Sequence, residues 1–394
     1  MSKASEWELV SQEERQSQII ARPSHTYWQD AWRMLRKNVL AMLGLFTIIV
    51  IACCAIFLPM ISNTSYSDQQ AGFGNIPPRI ELTALGDDTY VYVHNEYKLI
   101  QVSGKGEVLN ASEPIASDLT RATKTYEIDG KEVVLDYSYA KRAKKNGGVK
   151  YKIFVDGKEV DTTPVKTVWN KTNILGTDSL GRDIWIRILY GARISLLVGL
   201  VASIVNLIIG VVYGGISGFE GGKVDNIMMR IVDIINSIPS LLIVILLMVV
   251  IKPGLQTIIL TIGLIYWVGM ARLVRGQVLS LKEQEFVLAA RTIGVSKFKI
   301  IMKHLIPNAM GPIIVSLTMS IPSAIFTESF LSFIGLGVSA PMASWGTLAN
   351  DALGGIRSYP YQLIAPSVAI AITMFAFNFL GDGLRDALDP RLRK

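Results

Sequence analysis

Cysteine is nearly absent from this 394-residue chain: only Cys53 and Cys54 occur, side by side within an apolar run. Such a pair supplies neither a disulfide framework nor a metal-ligand spacing. A lipoprotein signal would be a sharper use of the pair, but a polar stretch of about 38 residues precedes the run, too long for a signal-peptide n-region. Histidine is scarce as well, and His25, His94 and His304 are too far apart in sequence to form a metal-ligand pattern. A phosphate-binding P-loop is missing. Around Gly222-Lys223, Ser217 stands where the first glycine belongs and Val224 where a hydroxyl belongs. Neither a nucleophile elbow nor a pair of catalytic carboxylates is found. These absences argue against an enzyme and against a resident metal or cofactor. Work against a gradient would have to be driven by a partner or by an ion.

Charge is missing from long stretches. Half of the residues are hydrophobic, which is high for a soluble protein. The net charge of +7 does not point to nucleic acid, because the lysines and arginines lie outside the apolar segments, as membrane topology requires. Val39 to Met60 holds no charged residue and is long enough to cross a hydrocarbon core of roughly 30 Å. Pro59 marks its far end. Five more spans are expected at about 195–215, 227–251, 255–272, 310–337 and 363–380. The mixed stretch IWIRILYGARI, Ile184 to Ile194, reads as lying along the membrane surface. Six spans put both termini on one side.

The segment HTYWQDAWRMLRKN before the first span sets Tyr27, Trp28 and Trp32 beside Arg33, Arg36 and Lys37. It suits an interfacial helix, with a plain basic flank as the other reading. Basic residues in short loops place this tail, the loop around Glu285 and the C-terminus in the cytoplasm. The tail carries Lys3, Arg15 and Arg22 besides, the loop Arg275, Lys282, Arg291, Lys297, Lys299 and Lys303, and the C-terminus Arg385, Arg391, Arg393 and Lys394. Opposite loops hold only Lys252 and Arg357, although Arg182, Arg187 and Arg193 count against the assignment.

Ser62 to Lys171 differs in kind. TYVYVHNEYKLIQVS alternates like a strand pair, and DGKEV occurs twice, at Asp129 and at Asp156. Asp-Gly between alternating residues signals a tight hairpin. A turn selected twice explains the repeat better than a duplication. About 110 residues suffice for a β-rich domain with its own core. The lysine-rich stretch Lys141 to Lys150 reads as a solvated loop, and no ligand pocket is legible anywhere in the segment.

Glu285 to Asn308 reads as two short helices joined at a hinge. Ala289 and Ala290 allow close approach, Gly294 tolerates a positive φ, Ser296 is placed to cap a second helix, and Pro307 ends it. Phe286 and Phe298 are the aromatic residues of the segment. An ordinary basic loop remains the other reading. Ala289, Ala290, Gly294 and Pro307 nevertheless fall on the spacing of the "EAA" loop, Glu-Ala-Ala, three residues, Gly, nine residues, Ile-x-Leu-Pro, so the segment resembles the coupling loop of ABC-importer permeases. Leu288, His304 and Ile306 depart from that pattern, and Glu285 lies three residues early. The variant resembles the peptide/nickel branch and its C-type permease subunit. GTDSLGRD at Gly176, TESFLSFIGLGVSAPMASWG at Thr327 and NFLGDGLRDALDPRLR at Asn378 agree with it. The insertion is larger than the resemblance leads one to expect.

The resemblance implies an all-α polytopic membrane protein of six helices with the type I ABC-importer permease fold, carrying a β-rich extracytoplasmic domain between helices 1 and 2. The expected partition is 1–38 cytoplasmic tail, 39–61 first helix, 62–171 insertion, 172–382 permease core with the coupling loop at 273–309, and 383–394 cytoplasmic tail. The implied function is import of di- or oligopeptides in a bacterial cell membrane, with nickel or another small solute as the alternative cargo. An ion-driven secondary transporter is the alternative of another class. The implied partners are a second permease subunit, two ATPase subunits that bind ATP and magnesium, an external solute-binding protein and the lipid bilayer. Glu285, Phe286, Ala289, Ala290, Gly294, Phe298 and Pro307 are the coupling residues. Glu328, Asn206 and Asn378 are polar residues within spans and candidates for the translocation pathway, hydrogen bonds between helices being the favoured reading. The insertion either docks the binding protein or covers the outer gate.

Overall fold

Apolar length decides the helices, and side-chain contacts at their ends decide which way each runs. The computed structural model of the chain describes residues 26–62, 64–86, 89–142, 150–251 and 254–389. Lys3, Arg15, Arg22, His25, Lys252, Arg391, Arg393 and Lys394, and positions 143–149 of the lysine-rich loop, lie outside them. Helix α1 (Tyr27–Lys37) is amphipathic and leads into α2 (Val39–Ile61). The core continues with α3 (Ile184–Glu220), α4 (Gly222–Ser237), α5 (Ser240–Ile251) and α6 (Leu255–Leu281). After the short α7 (Glu285–Thr292), α8 (Lys297–Ile300) and α9 (Ile306–Asn308) come α10 (Met310–Leu331), α11 (Trp345–Asp351) and α12 (Tyr361–Leu388). Helices α2, α3, α6, α10 and α12 are each long and apolar enough to cross a membrane, and α4 and α5, bent by 82° where they meet, are together long and apolar enough for a broken span or a re-entrant loop.

Two sets of contacts fix the ends of the bundle. The Tyr27 hydroxyl donates to the Leu388 carbonyl at 3.2 Å and sits against Gly311. The N-terminal helix, the start of α10 and the end of α12 therefore share one end. At the other end the Tyr361 hydroxyl donates to the carbonyls of Ile76 and Thr177, each at 3.1 Å, and the Gln362 amide donates to Asn75 Oδ1 at 2.9 Å. The insertion is seated there, opposite α1.

Strands β1 (Arg79–Ala84), β2 (Tyr90–Val93), β3 (Leu99–Val102) and β4 (Val108–Ala111) form a meander, extended by β10 (Lys166–Trp169) beside β1. A second meander is built from β5 (Ala116–Asp118), β6 (Thr123–Ile128), β7 (Lys131–Asp136), β8 (Lys152–Val155) and β9 (Lys158–Val160). Both Asp-Gly pairs make the expected hairpins. Asp129 and Gly130 have φ of 53° and 73°, and Asp156 and Gly157 of 48° and 78°, with positive φ at both central residues as a type I′ turn demands. Buried Val91, Leu99, Tyr126, Leu135 and Ile153 form a core between the sheets.

The transmembrane core differs from expectation in two places. Ile184 to Ile194 does not lie on the surface but is the first part of α3. Its arginines find partners inside the protein, although Arg187 Nε is buried without one among the described residues. Pro59 has no N–H to give the Ala55 carbonyl, and the Arg193 guanidinium donates to Ala55 O and to Ile56 O instead. Arg193→Ala is therefore expected to destabilise the fold by about 1–3 kcal/mol. Most of that loss should disappear when Pro59→Ala is added, because the helix then supplies the missing donor; unfolding midpoints of the two single variants and the double variant read this directly. The stretch 227–251 is not one straight span. It breaks at Ser237–Pro239, and the bend follows the proline.

Along α3, Gly210, Gly214 and Gly218 face Met270, Ala271, Arg275 and Val278 of α6. A Cβ at Gly214 would stand 2.3 Å from the Ala271 carbonyl oxygen. Small residues on this stripe let the two backbones meet, the usual means of helix association in lipid.

Candidate coupling site and opposite-end ion cluster

Glu285 to Asn308 folds at the end that carries α1 and the end of α12. Helix α7 turns one face inward: Val287 and Ala290 are buried with Val278, Ile300, Ile301 and Leu305. Glu285, Phe286, Leu288 and Ala289 face out, and Glu285 in the first turn complements the helix dipole. Gly294 has a φ of 80°, and nothing lies within 4 Å of where its Cβ would be. Glycine is needed there for backbone conformation, not for close contact. Ser296 stands at the N-cap of α8 but makes no side-chain cap bond. Ile293 is 80% exposed and Phe298 61%. These apolar side chains lie among Lys297, Lys299 and Lys303 at the polar end of the bundle.

Two expectations about this loop change. Ala290 belongs to the chain's own core, so of the alanine pair only Ala289 is open to a partner. Pro307 does not end a helix. It lies in α9, within a nearly continuous helical run from Lys297 to Leu331. The π-turn Ile301–Leu305 precedes it, with the Ile306 N–H donating to the Ile301 carbonyl. This i→i−5 register shifts the carbonyl pattern just ahead of the proline.

The loop is anchored to the end of α3. Lys297 pairs with Glu220 at 2.8 Å, the Arg291 guanidinium sits 4.9 Å from the Phe219 ring centre, and Lys282 donates to the Gly218 carbonyl at 3.2 Å. Just beyond that end, Asp225 receives two bonds from Arg275, both 2.6 Å, and one from the Ser217 hydroxyl. Movement of α7 and α8 is thus tied to α3, α4 and α6.

At the opposite end, GTDSLGRD folds into a turn that delivers a buried ion cluster. Asp178 Oδ2 accepts from Arg182 Nε at 2.7 Å and from Arg187 Nη1 at 2.5 Å. Arg187 Nη2 reaches Asp351 on α11 at 3.3 Å. Asp183 caps α3 by accepting from the N–H groups of Trp185 and Ile186. Burial raises its pKa above the ordinary range, against the hydrogen bonds from Asn173, Ile186 and Trp185. In the sequence this motif is legible only as part of the family resemblance, without roles for its residues. An arginine in an otherwise apolar helix, Arg187, was the signal that a buried acid had to be nearby. A polar cavity of about 420 Å³ opens beside Arg182, Arg187 and Asp351.

The three pathway candidates are not brought together by any hydrogen bond among the described residues. Glu328 is 0% exposed. Its oxygens accept from Ser195 on α3 at 2.8 Å, from Ser332 at 2.8 Å and from Ser329 at 3.4 Å. It is a carboxylate joining α3 to the end of α10, out of reach of a solute in this conformation. Asn206 is buried with an Oδ1 that has no partner among the described residues. Asn378 is half-buried on α12.

Residues 207–394 match the family model for the binding-protein-dependent transport system inner membrane component. Residues 26–78 match that for the N-terminal TM domain of oligopeptide transport permease C. The ten strands, within residues 79–169, fall between the two matches. The dipeptide transport system permease protein DppC of Bacillus subtilis is 40% identical over 391 residues, covering 99% of this chain and 94% of its own. The oligopeptide transport system permease protein OppC of the same organism is 42% identical over 375 residues, covering 95% and 93%. DppC of Lactococcus lactis subsp. cremoris is 36% identical over 377 residues, covering 94% and 93%. One chain of the inward-facing MetNI methionine ABC transporter aligns with 52% of this chain and 96% of its own, at 19% identity and a TM-score of 0.44. The sequence, the multi-pass helical core and these relatives lead to one family: the chain belongs to the ABC-type binding-protein-dependent permeases, in the oligopeptide and dipeptide permease C branch.

Proposed function

We propose that this chain is one half of a permease pair that imports di- or oligopeptides, driven by two ATPase subunits docked on Glu285–Asn308 and supplied by an external solute-binding protein. The observation that carries the reading is the exposed apolar set Phe286, Ile293 and Phe298 on a hinged helix pair, at the end where basic short-loop residues collect. That charge bias assigns this end, and both termini with it, to the cytoplasm. The named relatives direct the choice of cargo toward peptides. Family membership favours ATP-driven import over the ion-driven alternative. Residues 1–38, 39–61, 62–171, 172–382 and 383–394 then serve as tail, first span, insertion, permease core and tail. Ala289 and Gly294 act in docking and hinge geometry. Ala290 holds the loop to the core, and Glu328 joins α3 to the end of α10.

The decisive experiment is reconstitution of the chain with its second permease, its ATPase subunits and its binding protein. Peptide uptake that requires both ATP and the binding protein is the expected result. Co-purification without ATPase subunits, or uptake driven by an ion gradient alone, would refute the reading.

Docking of the binding protein on the insertion has a separate test. Strands β1 and β10 leave the core as neighbours, with Arg79 opposite Trp169 and the Asn170 N–H donating to Pro78 O at 2.9 Å. Joining Pro78 to Asn170 by a short linker removes the strands and keeps the Asn75–Ile76 contacts with α12. Uptake at limiting binding protein should fall about tenfold or more while membrane abundance is unchanged. Unaltered uptake would leave the insertion as a cover and end the docking proposal.

A further inference from the structure

The two sheets of the insertion enclose an open polar cleft of about 650 Å³, within the size range of small-molecule sites. No such pocket was legible in the sequence, because its walls come from strands far apart in the chain. Arg79 and Glu81 of β1 line it with Tyr92 of β2, His94 and Asn95 just after that strand, and Tyr151 just before β8. Two residues apart on one strand, Arg79 and Glu81 point to the same face. They make no ion pair with each other, and no hydrogen bond within the described residues uses the Glu81 carboxylate or the Tyr92 hydroxyl. Burial raises the pKa of Tyr92 and of Tyr151, and the nearby Glu81 charge raises both further, with Tyr359 also acting on Tyr92. Glu81, Tyr92 and Tyr151 all line this one cleft.

A carboxylate in a cleft lined by tyrosine side chains is a site for an ammonium group, attracted by charge and by the ring quadrupoles. The Arg79 guanidinium, otherwise stacked only on Trp169 at 5.9 Å, is a site for a carboxylate. Residues i and i+2 of a strand lie about 7 Å apart. The two charges of a single α-amino acid sit on one residue and do not bridge that distance. Two or three extended peptide residues, at about 3.3–3.6 Å each, do. The floor of the cleft is joined to the permease: the His94 ring stacks on Tyr359 at 5.9 Å and 14°, and Tyr359 immediately precedes α12. We infer that this cleft binds a short peptide with free termini, its ammonium held by Glu81, Tyr92 and Tyr151 and its carboxylate by Arg79, next to the outer mouth of the permease. The inference takes its class of ligand partly from the peptide-import reading.

The test is equilibrium binding of radiolabelled trialanine to the full chain with its partner subunits in nanodiscs, without binding protein or nucleotide. Glu81→Gln and blocking of the peptide amine by acetylation should each weaken binding about tenfold or more. Arg79→Gln should weaken trialanine to the same degree but leave trialanine amide unchanged. Both side chains are exposed, so the variants should unfold at the wild-type midpoint, which is measured alongside. Equal binding of free and blocked peptides, wild-type affinity in both variants, or no binding by the wild-type complex would each overturn the inference. A complex that imports trialanine yet is indifferent to Glu81→Gln refutes the cleft and keeps the import reading. A complex that binds trialanine through Glu81 but imports no peptide does the reverse.

Discussion

Replacing Asp178 with alanine is expected to destabilise the permease by about 3–5 kcal/mol, the scale found when one partner of a buried ion pair is removed. The Asp178 carboxylate accepts from two guanidiniums through Oδ2 and from the backbone N–H groups of Leu180 and Arg182 through Oδ1. Arg187 is 2% exposed. Without Asp178 its charge has only Asp351, at 3.3 Å, and Arg182 has the same acid at 3.6 Å. Removing one acid thus exposes two arginines to the cost of unpaired burial, and it also unties the turn that starts α3. Asp351→Ala should cost less, because the Asp351 side chain is half-exposed and water can replace it. Asp178→Asn should fall between them, since it keeps the acceptor for the backbone but not the charge. Unfolding midpoints of purified protein and the amount retained in the membrane measure all three. An Asp178→Ala variant as stable as wild type would show that the cluster does not hold this end of the bundle together.

The legible parts of this fold were those written in local chemistry. The two Asp-Gly turns require positive φ, and the uncharged run Val39 to Met60 admits only one solvent. What was misread depended on partners distant in sequence. Ile184 to Ile194 looked interfacial because three nearby arginines seemed to need water. Arg182 and Arg187 find Asp178 and Asp351, and Arg193 finds the Ala55 carbonyl freed by Pro59 and the neighbouring Ile56 carbonyl. The same pairing explains why these arginines do not disturb the charge bias of the short loops: they are neutralised or bound inside the fold. The break at Ser237–Pro239 was available from the proline alone and was hidden by the apolar run on both sides. The coupling motif was legible as a spacing, but the spacing could not tell which alanine faces in. Ala290 is buried by Val278 and Ile301, residues that lie before and after it in the chain. The cleft of the insertion was invisible for the same reason, since Arg79 and Tyr151 meet only after both sheets have formed.

Phe298→Ala is expected to abolish coupling while leaving the fold intact. A large aromatic seated in a partner's groove contributes about 2–4 kcal/mol to such an interface, which corresponds to a loss of roughly 30- to 1000-fold in ATPase affinity. Within this chain Phe298 is 61% exposed, so its removal leaves no cavity in the core and the unfolding midpoint should not move. Ala290→Arg is a poor test of docking by comparison, because it forces a charge into the cluster of Val278, Val287 and Ile301 and should unfold the loop. Gly294 separates geometry from contact. Its φ of 80° would cost a side-chain-bearing residue about 1–2 kcal/mol, and no atom lies near the added methyl of Gly294→Ala. That variant should retain the apolar surface yet populate the docking geometry less, weakening ATPase affinity about tenfold and uptake with it. Gly294→Pro should be worse, since proline cannot adopt this φ and lacks the N–H that Gly294 donates to the Arg291 carbonyl at 3.0 Å. The readout is binding of ATPase subunits to the reconstituted permease, with peptide uptake in the same vesicles. Full uptake by Phe298→Ala and Gly294→Pro together would show that force does not enter the bundle through this loop. Loss of uptake with ATPase binding preserved in Phe298→Ala would move the contact to Phe286 on α7 or to Ile293 just after it.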